Sequence, residues 1–185
     1  PDGKFQYLDC RMFSDGGPDV RWVGNEKGFA GETNWSLLKR ADFAPGAADR
    51  EALNAGQEDG THWLPAEVDV SIRPGWYYHE AEDSLVRTVP QLLDIYYASV
   101  GRNASMLLNV PPDKTGRIPA VDSLRLMEFA RALAAEFSKD LAADARVSAS
   151  NVRGHSGRYG AMRVTDGDTA TYWATDDDVR NASLT

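Results

Sequence analysis

Between Glu67 and Pro112 the chain alternates strand, helix and strand in a way that leaves few architectures open. Glu67-Val68-Asp69-Val70-Ser71-Ile72 sets Val68, Val70 and Ile72 on one side and Glu67, Asp69 and Ser71 on the other. That is the period-two signal of a strand with one buried wall. Arg73-Pro74-Gly75 ends it, and the aromatic run Trp76-Tyr77-Tyr78-His79 follows just past the strand end. Thr88 reads as a helix N-cap, with Pro90 in the first turn and Leu92, Leu93, Tyr96, Tyr97 and Val100 at helical spacing. Gly101 is expected to stop that helix, and Tyr96 and Tyr97 are expected to pack. Ala104 to Val110 is an apolar strand closed by Pro111-Pro112. From Val121 to Leu141, Leu124, Met127, Ala130, Leu133, Ala134 and Phe137 mark a long amphipathic helix. This rhythm is that of an α/β fold built on a parallel sheet or barrel. In the barrel version, catalytic side chains sit on the loops after the strands.

Upstream, Phe5 to Phe13 reads as a buried strand holding the single cysteine, Cys10, which is expected to act as a small hydrophobe. A loop from Ser14 to Glu32 follows, broken by Gly16-Gly17 and carrying Asp19, Arg21, Trp22, Asn25 and Glu26 within a few residues. A Glu beside a Trp and an Arg has what a carboxyl acid needs: an apolar wall to raise its pKa and a group to orient it. The plainer reading is a polar surface loop with one buried Trp. Thr33 to Leu38 is a short helical or extended piece. Ala41 to Gly60, rich in Ala, Gly, Pro and Asp, reads as a long surface excursion.

Past Asp140 the pattern changes. Val147-Ser148-Ala149-Ser150, Ala161-Met162-Arg163-Val164 and Thr171-Tyr172-Trp173-Ala174-Thr175 are short β-type segments, punctuated by Gly154, Gly157, Gly160 and Asp166-Gly167-Asp168. This reads as the start of an antiparallel β-sandwich. The expected domains are therefore residues 1–141, an α/β part, and residues 142–185, an incomplete sandwich. The net charge of −8 supplies no cationic footprint for phosphates, which argues against nucleic-acid binding. No apolar run approaches the roughly 18 residues of a membrane span. One cysteine forms no internal disulfide, zinc-type spacings are missing, and no metal or other cofactor is expected. With no initiator Met and a last segment that stops in mid-pattern, the chain reads as an internal piece of a longer one.

Four strings carry a resemblance: Gly17 to Glu26, His62 to His79, Ser99-Val100-Gly101-Arg102-Asn103, and Leu107-Leu108-Asn109-Val110-Pro111-Pro112-Asp113. Together they resemble the α-L-fucosidases of glycoside hydrolase family 29, and Gly17 to Glu26 looks most like the branch acting on α-1,3/1,4-linked fucosides. The resemblance implies the second half of a (β/α)8-like barrel and a retaining exo-glycosidase, whose partner is a fucosylated oligosaccharide or glycoconjugate. It also implies a periplasmic or extracellular location. The segment after Asp140 resembles the opening of a discoidin-like (factor 5/8 type C) module.

Retention needs two carboxyl groups about 5–5.5 Å apart. The resemblance gives Glu26 the acid/base role. The family's nucleophile, an Asp on an earlier barrel strand, has no match here and is expected before Pro1, with Asp15 the only fallback within the chain. Trp76 is a candidate platform for the fucose ring and methyl group, or a core aromatic. Trp63 and His62 are candidate aglycone contacts. Arg73 either orients a carboxylate or forms a structural salt bridge, and Arg21 and Trp22 flank the acid. Glu67 and Asp69 are expected in structural hydrogen bonds, and His79 and His155 at the surface or in the core. The competing reading is a non-catalytic module that binds fucosylated glycans. A serine hydrolase is unsupported, since there is no Gly-x-Ser-x-Gly elbow.

Overall fold

The computed structural model describes residues 20–39, 50–143 and 145–185. The expected strand Phe5–Phe13, with Cys10, and the fallback Asp15 lie outside them. The chain forms two compact units, one ending at Leu133 and the other comprising Ala134–Thr185.

The first unit is built on a three-stranded parallel sheet in the order β1-β4-β5, with β1 at Arg21–Trp22, β4 at Ala66–Ser71 and β5 at Ala104–Asn109. The alternation in β4 is resolved as expected. Ala66, Val68, Val70 and Ile72 are fully buried, while Glu67 and Asp69 are half-buried on the opposite face. Paired residues of neighbouring strands share a face, so Trp22, Glu67 and Ser105 fall in line, as do Asp69 with Leu107 and Ser71 with Asn109. The other face packs in two clusters. Val23, Ala30, Ala66 and Val68 form one, against Ala104. Ile72, Val86, Leu92 and Phe129 form the other, joined by Met106, Leu108, Leu126 and Leu133.

The loop expected from Ser14 to Glu32 is interrupted by β1, because Arg21 N donates to Pro65 O and Val23 N to Glu67 O along the edge of β4. Two residues are too few to show a period in the sequence. Leu37–Leu38 is the extended β2, paired antiparallel with β3 at His62–Trp63. The expected excursion Ala41 to Gly60 holds a helix, α1 at Arg50–Ala55. Its Leu53 is fully buried, so the helix is anchored rather than superficial.

Helix α2, Val89–Ser99, begins with the reciprocal cap that Thr88 and Gln91 encode. Gly101 does not stop it. The helix tightens into a 3₁₀ turn at Val100–Arg102 that contains Gly101, and the break comes at Asn103, with φ 60 and ψ 40. Asn tolerates the left-handed region better than most residues, and the Asn103 amide is held by Asn34 O and Ser36 Oγ. Tyr96 packs as expected, whereas Tyr97 is 42% exposed.

Helix α3 runs over Ala120–Glu136, ending before Leu141. Its inward face matches the expected one at Leu133 but not elsewhere: Leu124, Met127 and Ala130 are exposed, Phe137 lies exposed past the helix end, and Asp122, Leu126 and Phe129 face inward with Leu133. Successive steps of three drift about 60° each around a helix, whereas alternating steps of three and four stay on one face. The sequence carries both patterns. The buried Asp122, which the apolar count ignored, sets the rotation.

In the second unit Ala161–Val164, expected as a strand, is a 3₁₀ turn, preceded by others at Arg153–His155 and Gly157–Tyr159. Thr171 to Thr175 has no regular structure. The antiparallel pairing present is a bridge between Ala149 and Leu184. Polar contacts organise the rest: Trp173 Nε1 donates to Asn151 O at 2.8 Å, and Asn151 and Asp176 exchange two hydrogen bonds. The Gly154 amide and the Asn151 side chain hold the Asp176 carboxyl below its ordinary pKa.

Candidate active site

The C-terminal ends of the three parallel strands converge on a small group of polar side chains. After β1 the chain turns through Gly24 and Gly28, whose φ values of +77° and +90° suit glycine. Between them Asn25 Oδ1 accepts from Lys27 N at 3.0 Å and Asn25 Nδ2 donates to Phe29 O at 3.1 Å. This compact turn presents Glu26. After β4, Ser71 Oγ donates to Gly75 O at 2.7 Å and closes the turn that brings Trp76 round. Trp76 Nε1 donates to Glu26 Oε2 at 3.0 Å. From the end of β5, Asn109 Nδ2 donates to Trp76 O and to Ser71 Oγ, both at 3.1 Å.

Glu26 and Trp76, fifty residues apart in sequence, are therefore brought together. Trp76 is 37% exposed and stands beside the half-buried Glu26. Trp22, level with Glu67 in the register, is turned to Asp69, donating from Nε1 to Oδ1 at 2.6 Å. Glu67 lies on that face too. Burial pushes its pKa up, and the neighbouring Asp69 charge adds to the rise.

The two arginines are elsewhere. Arg21 alternates to the opposite face of β1 from Trp22 and is fully buried. It donates to Leu53 O, Trp35 O and Asn34 Oδ1, tying α1 and the loop before β2 to the sheet. Burial pulls its pKa down to about 10, and its Nε has no hydrogen-bond partner among the described residues. Arg21 flanks Glu26 in sequence but faces away. Arg73 takes the salt-bridge alternative: it grips Asp122 with two hydrogen bonds of 2.9 Å, reaches Asp83 at 2.8 Å and His79 O at 3.2 Å, and lies over the Tyr78 ring. Burial works against its charge, but the bonds to Asp122 and Asp83 outweigh that and raise its pKa. Trp63, 69% exposed, and His62, hydrogen-bonded to Thr61, stand on the β2–β3 ribbon.

Sequence reasoning missed Ser71 and Asn109 as site builders. The signal available was positional: each is the polar residue on which a parallel strand ends. Among the described residues no group of three or more His, Cys, Asp or Glu side chains is placed to hold a metal ion, and no helix is long and apolar enough to cross a membrane.

The α-L-fucosidase family model matches residues 39–136, more than half of the chain. The chain belongs to the α-L-fucosidase family. Alpha-L-fucosidase 1 of Arabidopsis thaliana is 46% identical over 164 residues, 88% of this chain and 32% of the plant protein. Among solved structures, a putative α-L-fucosidase from Bacteroides thetaiotaomicron superposes with a TM-score of 0.81 at 41% identity, covering 89% of this chain and 36% of that one. A family 29 fucosidase of Ruminococcus gnavus, solved in complex with fucose, matches with a TM-score of 0.75 at 35% identity over 89% of this chain and 33% of its own. The chain thus spans about a third of the length of the curated relatives it matches.

Proposed function

We propose that this chain is the acid/base-bearing part of a retaining exo-α-L-fucosidase that removes terminal α-1,3/1,4-linked fucose from glycans. The observation that carries this reading is the hydrogen bond from Trp76 Nε1 to Glu26 at the strand ends of a family 29 fold. Glu26 protonates the glycosidic oxygen as fucose leaves, then takes a proton from the water that releases the covalent intermediate. The exposed indole of Trp76 receives the apolar face and methyl group of fucose, and Trp63 and His62 receive the aglycone. The nucleophile is an Asp contributed from upstream of Pro1, with Asp15 the fallback within the chain.

The same reading takes the parallel sheet as the later part of a (β/α)8-like barrel within residues 1–141. It takes residues 142–185 as the opening of a discoidin-like sandwich whose pairing Ala149–Leu184 has begun. The enzyme acts in the periplasm or outside the cell.

The test is Glu26→Gln in the full-length enzyme, assayed on fucosyl disaccharides and on aryl fucosides with good leaving groups. Disaccharide turnover is expected to fall by about 10²–10⁴-fold, the usual worth of a general acid, with aryl fucosides much less affected. Equal turnover of both substrates by parent and variant would remove Glu26 from the mechanism. A parent that binds fucosylated glycans without cleaving either substrate would favour the binding module instead.

A further inference from the structure

The turn that carries Trp76 belongs to β4, yet two of the hydrogen bonds that fix it come from the next strand. Ser71 Oγ, at the end of β4, donates to Gly75 O and accepts from Arg73 N at 3.3 Å. Asn109, level with Ser71 in the register of β5, spends both hydrogens of its amide on this turn, one on Ser71 Oγ and one on Trp76 O. Ser71 is 6% exposed and Arg73 1% exposed, so the base of the turn is anchored in the core through Arg73 and Asp122. Its outer limb, by contrast, is exposed from Tyr77 to Trp76. The indole N–H of Trp76 then meets Glu26, which is borne by a separate loop after β1.

We infer that Asn109 is a positioning residue. Its carboxamide clasps the turn Arg73–Trp76 through Ser71 and the Trp76 carbonyl, and so fixes where the Trp76 indole meets Glu26. A backbone clasp suits this task. An indole has two side-chain torsions, and its N–H direction is defined only when the backbone that carries it is held. The side chain must donate twice, because both acceptors are oxygens and one of them is a carbonyl with no proton to give, and a carboxamide NH₂ does so without adding a charge. An Asp at 109 would place a second oxygen against the Trp76 carbonyl, with no proton between them. The inference rests on the acid/base reading of Glu26 for its catalytic consequence, but its geometric content stands apart from that reading.

Two readouts test it in the full-length enzyme. The first is the ¹⁹F resonance of Trp76 in protein labelled with 5-fluorotryptophan, assigned by its loss in Trp76→Phe. Asn109→Ala, Asn109→Asp and Ser71→Ala are each expected to shift or broaden that resonance, while Ser71→Thr, which keeps the hydroxyl, restores it. The second is kcat/KM on a fucosyl disaccharide against an activated aryl fucoside. Loss of one or two neutral hydrogen bonds predicts that Asn109→Ala loses roughly three- to tenfold more on the disaccharide than on the aryl substrate. A merely structural weakening would lower both alike. If Asn109→Ala does not fold, Ser71→Ala and Asn109→Asp decide the same question. A Trp76 resonance unmoved in folded variants of both residues, or equal losses on both substrates while Glu26→Gln discriminates between them, overturns the inference. Absence of discrimination in Glu26→Gln itself, with the resonance still moved by Asn109→Ala, instead removes the acid/base reading and leaves the clasp standing.

Discussion

Removing the carboxylate of Asp122 breaks a fully buried ion pair of the first unit. The Arg73 and Asp122 side chains are both 0% exposed, and they meet through two hydrogen bonds of 2.9 Å. Breaking a fully buried pair by deleting one partner costs about 3–5 kcal/mol, because the survivor is left charged and desolvated. Here the survivor keeps Asp83, whose side chain is 43% exposed, the His79 carbonyl and the Tyr78 ring 4.8 Å away. Asp122→Ala should therefore fall at the low end, near 3 kcal/mol. Equilibrium unfolding in urea measures it as a drop in midpoint at constant m. Replacing both partners with apolar residues, Arg73→Met with Asp122→Leu, should recover most of the loss, because no charge is then stranded. Glu128→Ala is the control. Its partner Arg125 is 3.0 Å away at the surface, and the expected cost is below about 0.5 kcal/mol. A cost for Asp122→Ala under about 1 kcal/mol, or a double variant no better than the single one, would refute the account of the pair as a desolvated unit.

Two further outcomes follow from the same burial. Arg21→Lys cannot reach Leu53 O, Trp35 O and Asn34 Oδ1 from one ammonium, so it should lose about 1.5–3 kcal/mol in urea unfolding. Its loss should show equally with disaccharide and aryl fucosides, since Arg21 faces away from Glu26. Glu67 has its pKa raised from 4.5, so the folded state holds its proton to higher pH than the unfolded chain does. Stability from this group is complete below about pH 4.5 and is lost as pH rises through the raised folded value. Glu67→Gln should flatten that part of the Tm-against-pH curve. A curve unchanged by the substitution would show that Glu67 is solvated as an ordinary surface glutamate.

What was legible in the sequence divides by how local its cause is. The alternation of β4, the Thr88–Gln91 cap and the extent of β5 are written in neighbouring residues, and each is found close to where its pattern places it. The rotation of α3 and the helix α1 were not legible, because both are decided by distant partners. Asp122 is turned inward by an arginine 49 residues away, and the fully buried Leu53 has its carbonyl bound by Arg21, 32 residues before it. The same division holds in the site. Glu26 stood out as a carboxyl beside a Trp and an Arg, and Trp76 as an aromatic just past a strand end. Asn109 fell inside a stretch read as an apolar strand, and its role depends on a register with Ser71 that no single segment encodes.

The two arginines show why residue type and sequence proximity were poor guides to function here. Arg21 adjoins Trp22 and precedes Glu26 by five positions, yet strand alternation sends neighbouring side chains to opposite faces. Only Trp22 can share the face of Glu67 and Asp69. Arg73 is one residue beyond Ile72, at the strand end where barrel enzymes place catalytic groups, yet its guanidinium is enclosed by two carboxylates and a carbonyl. Its contribution to the site passes through the backbone: Arg73 N donates to Ser71 Oγ, and the buried guanidinium pins the first residue of the turn that carries Trp76. The cation is spent on Asp122 and Asp83, and it is an uncharged indole that reaches Glu26.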